Sequence, residues 1–165
     1  MPDMLVKLYE LPPLQPAIER QTAQGVTIRR AIAPEKHVVL GWIGERFRQL
    51  WVSEADVSFT RQPPSIFIAI ENDKMLGFGC YDTTMRGFFG PTGVAEAARG
   101  RGTGAALLLA CLHDMYAQGY GYSIIGGAGP TEFYTRIVGA TIIEDSHPGV
   151  YKGMLRTPEP DAKEE

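Results

Sequence analysis

The order of elements legible in the sequence predicts an α/β (α+β) fold, a mixed and mainly antiparallel sheet with helices packed on its faces. Three observations lead there. A strand is followed by two helices, then three strands in a meander, then helix, strand, helix and two strands, which is not the alternating series of a parallel sheet. The chain has 165 residues, the length of one domain, and its 44% apolar and 21% charged composition suffices to bury a core. Sixteen of its nineteen glycines lie between Gly77 and Gly153 with no repeat period, which marks a stretch of tight turns or of backbone approached closely by a ligand.

Each element has its own signal. Residues 1–25 carry Pro2, Pro12, Pro13 and Pro16 and read as an N-terminal extension, an extended arm with a helical turn or two before Gly25. Val26 to Ala31 alternates and is β-rich, a first strand. Val38, Val39, Ile43 and Phe47 recur at helical spacing, so a helix is expected from Pro34 to about Leu50. A second helix is expected from Ser53, an N-cap with Asp56 three residues on, and Pro63-Pro64 closes the region. Ser65–Ile70 and Met75–Tyr81 are strands joined by the turn Glu71–Lys74. Gly87–Val94 is a glycine-interrupted strand, and a helix runs from about Thr103 to Gln118, closed by Gly119. Tyr122–Ile125 is a short strand, and Pro130 opens a helix that Gly139 stops. Thr141–Ile143 and Val150–Leu155 are expected to form a last hairpin. Residues 26–156 thus make the domain, and 157–165, with two prolines and four acids, a frayed tail.

Composition narrows the function. Sixteen basic and nineteen acidic residues give a formal charge of -3, without the basic excess of a nucleic-acid binder. The longest strongly apolar run, Ala105–Leu112, is far short of the ~20 residues that cross a bilayer, and the first residues lack a signal peptide's apolar core. A cytoplasmic chain with no membrane partner is expected. Cys80 and Cys111 are too few for a disulfide framework and read as small buried groups. His37, His113 and His147 show no metal-ligand spacing, and His113, beside Asp114 on a polar helix face, reads as solvent-facing.

The most informative segment is Arg99-Gly100-Arg101-Gly102-Thr103-Gly104-Ala105, immediately ahead of an apolar helix. A helix start offers unpaired N–H groups and partial positive charge. Without β-carbons at Gly100, Gly102 and Gly104 an anion can reach those N–H groups, and Arg99 and Arg101 add mobile positive charge, so the turn reads as a phosphate-binding turn. It is not a P-loop, because Ala105-Ala106 follow the last glycine where Lys-Ser/Thr is required. A dinucleotide fingerprint is disfavoured too, since five residues separate Val94 from Gly100 and a meander precedes them.

In these residues the sequence resembles the GNAT (GCN5-related N-acetyltransferase) superfamily. Arg99-Gly100-Arg101-Gly102-Thr103-Gly104 matches its Arg/Gln-x-x-Gly-x-Gly/Ala signature after a strand, and Phe133-Tyr134 followed by Gly139 and an apolar strand matches its second marker. The resemblance covers roughly residues 26–156. It implies a sheet of six to seven strands with helices on both faces, and acetyl-CoA as co-substrate with no metal. It further implies that the pyrophosphate rests on N–H groups between Arg99 and Ala105. The pantetheine arm would pair with Gly93-Val94-Ala95, in a gap between the splayed parallel strands Gly87–Val94 and Tyr122–Ile125.

The reaction so implied is direct attack of an amine on the thioester. The Val94 N–H would stabilise the oxyanion. Tyr134 would be the general acid, its phenol protonated at neutral pH. The family's frequent strand carboxylate is missing from Gly87–Val94, which makes Asp82 the first candidate for the base, with Glu132 and His147 behind it. Gly127 stands where the family often has an Asn. Trp42, Phe47, Trp51, Glu54 and Asp56 are placed in the helical region where an acceptor pocket would lie, and the two acids could attract a cation. The leading expectation is an N-acetyltransferase for a primary amine of a small molecule. A non-catalytic acyl-CoA-binding sensor and a protein acetyltransferase are the alternatives. An exposed apolar face on the first helices would favour a homodimer.

Overall fold

Strand formation follows the β-branched and aromatic runs, and the resulting strands close into one sheet. In the computed structural model, which describes residues 1–157, they are β1 (Met4–Lys7), β2 (Thr27–Arg30), β3 (Ile66–Glu71), β4 (Lys74–Tyr81), β5 (Phe88–Val94), β6 (Tyr122–Ile125) and β7 (Thr141–Ile142). Their order is β2-β3-β4-β5-β6-β1-β7. Among the described residues β5 and β6 form the one parallel pair, and the other pairings are antiparallel. The β3–β4 hairpin turns through Asn72 and Asp73, both in the left-handed region (φ 49° and 61°), the combination that matches strand twist in a two-residue turn.

Among the described residues five α-helices cover the sheet: α1 (Leu14–Ala23), α2 (Lys36–Arg46), α3 (Gln49–Ser58), α4 (Thr103–Ala117) and α5 (Thr131–Val138). Helix α4 is apolar nearly all round and buried accordingly. Ala106, Leu108, Leu109, Cys111, Leu112 and Met115 pack with Met4, Val6, Phe89, Ile125, Tyr134 and Val138 on one face of the sheet, and Leu107 packs with Val26 and Ala69. On the other face Ile66, Ile68, Phe78 and Cys80 receive Val39, Ile43 and Ala55 of α2 and α3, with Trp42, Phe47 and Trp51 at the margin. Cys80 and Cys111 are both buried free thiols, raised by burial. Among the described residues no helix is long and apolar enough to cross a membrane.

Four local expectations change. Residues 4–7 are not a draped arm but an internal strand, β1, seated between β6 and β7. The helix expected from Pro34 to Leu50 breaks at Phe47, whose backbone is extended (φ −132°, ψ −179°), and α3 starts at Gln49 rather than Ser53. The break lets the Phe47 ring stack among Trp42, Trp51 and Phe78, a tertiary reward that helical spacing does not reveal. The hairpin between 141–143 and 150–155 does not form: β7 stops at Ile142, and behind the left-handed Gly149 (φ 59°) the segment Gly149–Tyr151 winds into a single 3-10 turn instead of an extended strand. His113 is not free in solvent: its Nε2 lies 2.7 Å from the Pro12 carbonyl, pinning the segment ahead of α1. The expected tail lies, from residue 158 on, outside the described residues.

Candidate active site

The site begins as a defect in the sheet. β5 and β6 pair only at Phe88–Ile124 and Phe89–Ile125, and β6 then ends. On its other side β5 stays paired with β4, with a register irregularity opposite Gly90-Pro91. Ala95 donates to the Leu76 carbonyl at 2.8 Å, so Leu76/Ala95 is a hydrogen-bonded pair of the antiparallel ladder. The alternation then makes Gly93 bond to Phe78 and leaves Val94 and Thr92 with N–H and C=O directed away from β4, into the split. Of the three residues expected to pair with an extended ligand, Val94 alone presents its backbone there. Gly93 and Ala95 are turned to β4, and Thr92 is the second residue facing the split. Gly93 serves packing: a β-carbon on it would lie 2.6 Å from the Phe47 ring.

At the wide end of the split stands the glycine-rich turn. Gly100 and Gly102 both have φ near +80°, a conformation that L side chains resist, and Gly102 is the residue from which α4 starts. The first bond of the helical ladder is Ala106 N–H to Gly102 carbonyl at 3.1 Å. The N–H groups of Gly100, Arg101, Gly102, Thr103, Gly104 and Ala105 therefore have no acceptor among the described residues. A β-carbon on Gly104 would sit at ordinary contact distance from Val94 (3.7 Å) and Phe133 (3.9 Å), filling the space in front of those donors.

The two arginines divide their roles. Arg99 is exposed, with Nε 3.3 Å from the Val94 carbonyl. Arg101 is not mobile: its guanidinium is held by Glu71 at 2.7 Å and reaches the Gln24 side chain and carbonyl. It braces the turn from outside, and its partner Glu71 is held below the usual carboxylate range by that contact. A second brace comes from α1. Gln21 is 1% exposed and donates to the Arg101 carbonyl at 2.9 Å while accepting from the Thr103 hydroxyl at 2.8 Å. Sequence reasoning missed Gln21, since a single glutamine on a polar helix carries no signal until the helix is seen packed on α4.

Tyr134 stands at the narrow end. Its ring packs edge-on against Phe89, the last residue of β5 to pair with β6, at 6.4 Å between centroids, and against Phe133 at 5.1 Å. This is the α4 face of the sheet. Burial pushes its phenol up to about 12, so the hydroxyl keeps its proton across the physiological range. Asp82 is not brought to the split. It follows β4 in a left-handed conformation, and its carboxylate accepts from Arg61, the Gly87 N–H (2.6 Å) and the Tyr120 hydroxyl (2.7 Å), locking the β4–β5 turn. Glu132 is exposed, and His147 lies 3.2 Å from the Met1 amino group.

The opposite face of the narrow end carries a different set of groups. Phe88 alternates with Phe89 and lies against Gly126, the residue just past the last β6 pair, and the Tyr151 hydroxyl comes to the same place. Thr83 holds the Gly90 carbonyl at 2.9 Å, and its neighbour Thr84 donates to Glu54 of α3 at 2.6 Å. Burial raises the Glu54 carboxyl. Asp56, the other acid of α3, is 2.7 Å from Lys36 and so already has a cation. Gly127, in the left-handed region, gives its N–H to Asp3 at 2.8 Å. Thr84 and Tyr151 were not singled out from sequence. Their meeting depends on the unformed final hairpin. Among the described residues no group of His, Cys, Asp and Glu side chains is arranged to hold a metal.

The sequence model of the Acetyltransferase (GNAT) family matches residues 28–139. Among solved structures the fold is similar to a GCN5-related glucosamine N-acetyltransferase region of a fungal multi-domain GH3 β-N-acetylglucosaminidase, with TM-score 0.70 and 14% identity over 86% of this chain and 19% of that one. It is similar also to a GCN5-related N-acetyltransferase from Sphaerobacter thermophilus (TM-score 0.63, 22% identity, 86% of this chain and 48% of that one). A third, from Kribbella flavida, gives TM-score 0.59 and 17% identity over 86% of this chain and 53% of that one. The chain thus spans about half or less of the length of these relatives, and at such identities the likeness is one of fold. A search of curated proteins gives no match.

Proposed function

Because the chain belongs to the GNAT acetyltransferase family, we propose that it transfers an acetyl group from acetyl-CoA to a primary amine of a small molecule by direct attack. The observation that carries this reading is the pairing of two features along one line: a run of six unpaired N–H groups from Gly100 to Ala105, and a split beside Val94 with a buried phenol at its base. Members of the family use acetyl-CoA, and the residues present suit it. The N–H groups ahead of α4 are donors of the right kind for a diphosphate, and Gly104 leaves the space before them open. The Thr92 and Val94 backbone edges suit an extended amide-bearing arm, which would pair as a short strand. Bound there, acetyl-CoA supplies an electrophilic thioester and a thiolate leaving group.

The chain's own residues do the rest. The N–H groups of Gly100–Ala105, with Arg99, bind and orient the anionic end. Val94 N–H points into the split and can donate to a carbonyl oxygen placed there. Tyr134 holds a proton at Oη. Handing it fully to an ordinary thiolate with pKa near ~8.5 would be uphill by about 5 kcal/mol, so the phenol acts chiefly as a hydrogen-bond donor to the departing sulfur. A thiolate buried in the same apolar surroundings is itself more basic, which narrows that gap.

Calorimetry with coenzyme A and a thiol-release screen across amines, amino acids and amino sugars test the proposal together. Wild-type protein is expected to bind coenzyme A and to release thiol with at least one amine. Tyr134→Phe is expected to keep coenzyme A affinity and lose turnover by about 100-fold or more. Absence of coenzyme A binding by folded protein would overturn the reading, and full turnover by Tyr134→Phe would remove Tyr134 from the chemistry.

A further inference from the structure

The face of the split opposite Tyr134 holds a carboxylate without a cation. Glu54 is half-buried, and among the described residues no lysine, arginine or histidine nitrogen lies within ion-pair distance of it. Its protein hydrogen bond is the 2.6 Å contact from Thr84. Two independent tethers bring this group to the narrow end. Thr83, next to Thr84, is bonded to the Gly90 carbonyl on the β5 side, and Tyr151, which senses the Glu54 charge, lies over Gly126 on the β6 side. Burying an anion without a partner costs stability, and such a group persists where an incoming cation completes it.

We propose that Glu54 receives the ammonium group of the acceptor and takes its proton, so that the amine enters the split from the face opposite Tyr134. The inference rests on the transferase reading above and names the acceptor class within it: amines that arrive as alkylammonium ions. The groups that face Glu54 are Thr84 from the β4–β5 turn, Tyr151 from the C-terminal segment, Arg48 just ahead of α3 and the buried Cys80 thiol of β4. Burial makes the carboxylate a better base than an exposed one, and Thr84 and the more distant Arg48 moderate that shift. The exchange balances. One ammonium proton goes to Glu54 and on to solvent, the C–N bond forms as the C–S bond breaks, and a second nitrogen proton ends on the departing sulfur. Phe88 and Tyr151 supply apolar and aromatic surface beside the ammonium position, which suits an organic amine better than ammonia.

The test is Glu54→Gln, nearly the same shape without the charge. The probes are 2-phenylethylamine, an ammonium ion at pH 7, and aniline, which is neutral there. The variant is expected to keep coenzyme A affinity and to lose about 100-fold or more in kcat/KM on 2-phenylethylamine, with a change within about 3-fold on aniline. Calorimetric titration of 2-phenylethylammonium into protein saturated with coenzyme A is a second arm that needs no turnover, and the variant should bind at least about 10-fold more weakly there. An equal loss on both amines, or unchanged ammonium binding, would overturn the assignment. Wild-type protein that binds the ammonium ion through Glu54 but acetylates nothing would sink the transferase reading and leave the ammonium site standing. Wild-type protein that binds no ammonium ion overturns the site itself.

Discussion

Replacing Gln21 by Met tests whether the N-terminal helix shapes the anion cradle. The side chains have the same length, and the substitution removes two hydrogen bonds at a position that is 1% exposed. The Arg101 carbonyl keeps the Gln24 amide at 3.1 Å, but the Thr103 hydroxyl, on a residue 2% exposed, loses its acceptor. Two net hydrogen bonds at about 1 kcal/mol each, with up to about 2 kcal/mol more for the stranded hydroxyl, give a loss of about 2–4 kcal/mol. For a domain of this size that corresponds to a Tm lower by about 4–16 °C. Freeing the backbone of one cradle residue, which a ligand must then re-order, weakens coenzyme A binding by about 1–2 kcal/mol, or about 5- to 30-fold. Scanning fluorimetry and calorimetry read the two effects. Thr103→Val closes a double-mutant cycle, whose coupling should exceed about 0.5 kcal/mol. A lower Tm with unchanged coenzyme A affinity would refute the link between brace and cradle, and no change in either would refute the brace.

Two further predictions separate stability from function. Gly104→Ala meets no obstacle closer than 3.7 Å and sits in an ordinary helical conformation, so the variant should be as stable as the wild type or up to about 1 kcal/mol more stable, yet bind coenzyme A more weakly. Gly102→Ala, at φ +80° and 3.4 Å from the Gln21 amide, should instead lose about 1–2 kcal/mol, and paired denaturation curves distinguish the two. The Tyr134 phenol is raised from its ordinary 10.0 to about 12, so the native state holds that proton longer than the unfolded chain does. Its contribution is complete below about pH 10 and fades as pH rises toward 12, which makes wild-type stability fall by about 1.3 kcal/mol more than that of Tyr134→Phe between about pH 9 and 11. Equal alkaline losses would mean that the phenol is not buried as described.

What the sequence revealed was what depends on local spacing. Strands β2 to β6 and helices α4 and α5 announce themselves by β-branched runs, by the turn at Asn72-Asp73 and by the Gly102 and Gly139 boundaries. The cradle was legible because three alternate glycines set with two arginines ahead of an apolar helix have few other uses. What stayed hidden depends on partners far away in the chain. Arg101 reads as a free cation until Glu71, thirty residues earlier, is seen beside it. Asp82 reads as a base until Arg61, Gly87 and Tyr120 are seen to occupy it. Val150–Leu155 has the apolar content of a strand, yet among the described residues β7 pairs with the inserted β1 alone, and Tyr151 packs over Gly126 instead.

That insertion connects the two ends of the site. The family match begins at residue 28, yet residues before it touch both the wide and the narrow end of the split. Helix α1 braces the cradle through Gln21 and Gln24. β1 carries Pro2 and Asp3 to the turn after β6, where the Pro2 carbonyl and Asp3 carboxylate accept the Ala128 and Gly127 N–H groups at 2.8 Å. Asp3 also bonds Ile143 and Ser146, fixing the start of the C-terminal segment that bears Tyr151. Had the final residues formed a strand beside β7, Tyr151 would be drawn into a ladder and away from Gly126. Instead the C-terminal segment, tied to Asp3 at Ile143 and Ser146, leaves the sheet after β7 and brings the Tyr151 hydroxyl to Gly126 at the narrow end. The N-terminal segment therefore does more than complete the sheet: through Asp3 it fixes both the turn after β6 and the start of the segment whose Tyr151 builds the face on which the acceptor is proposed to enter.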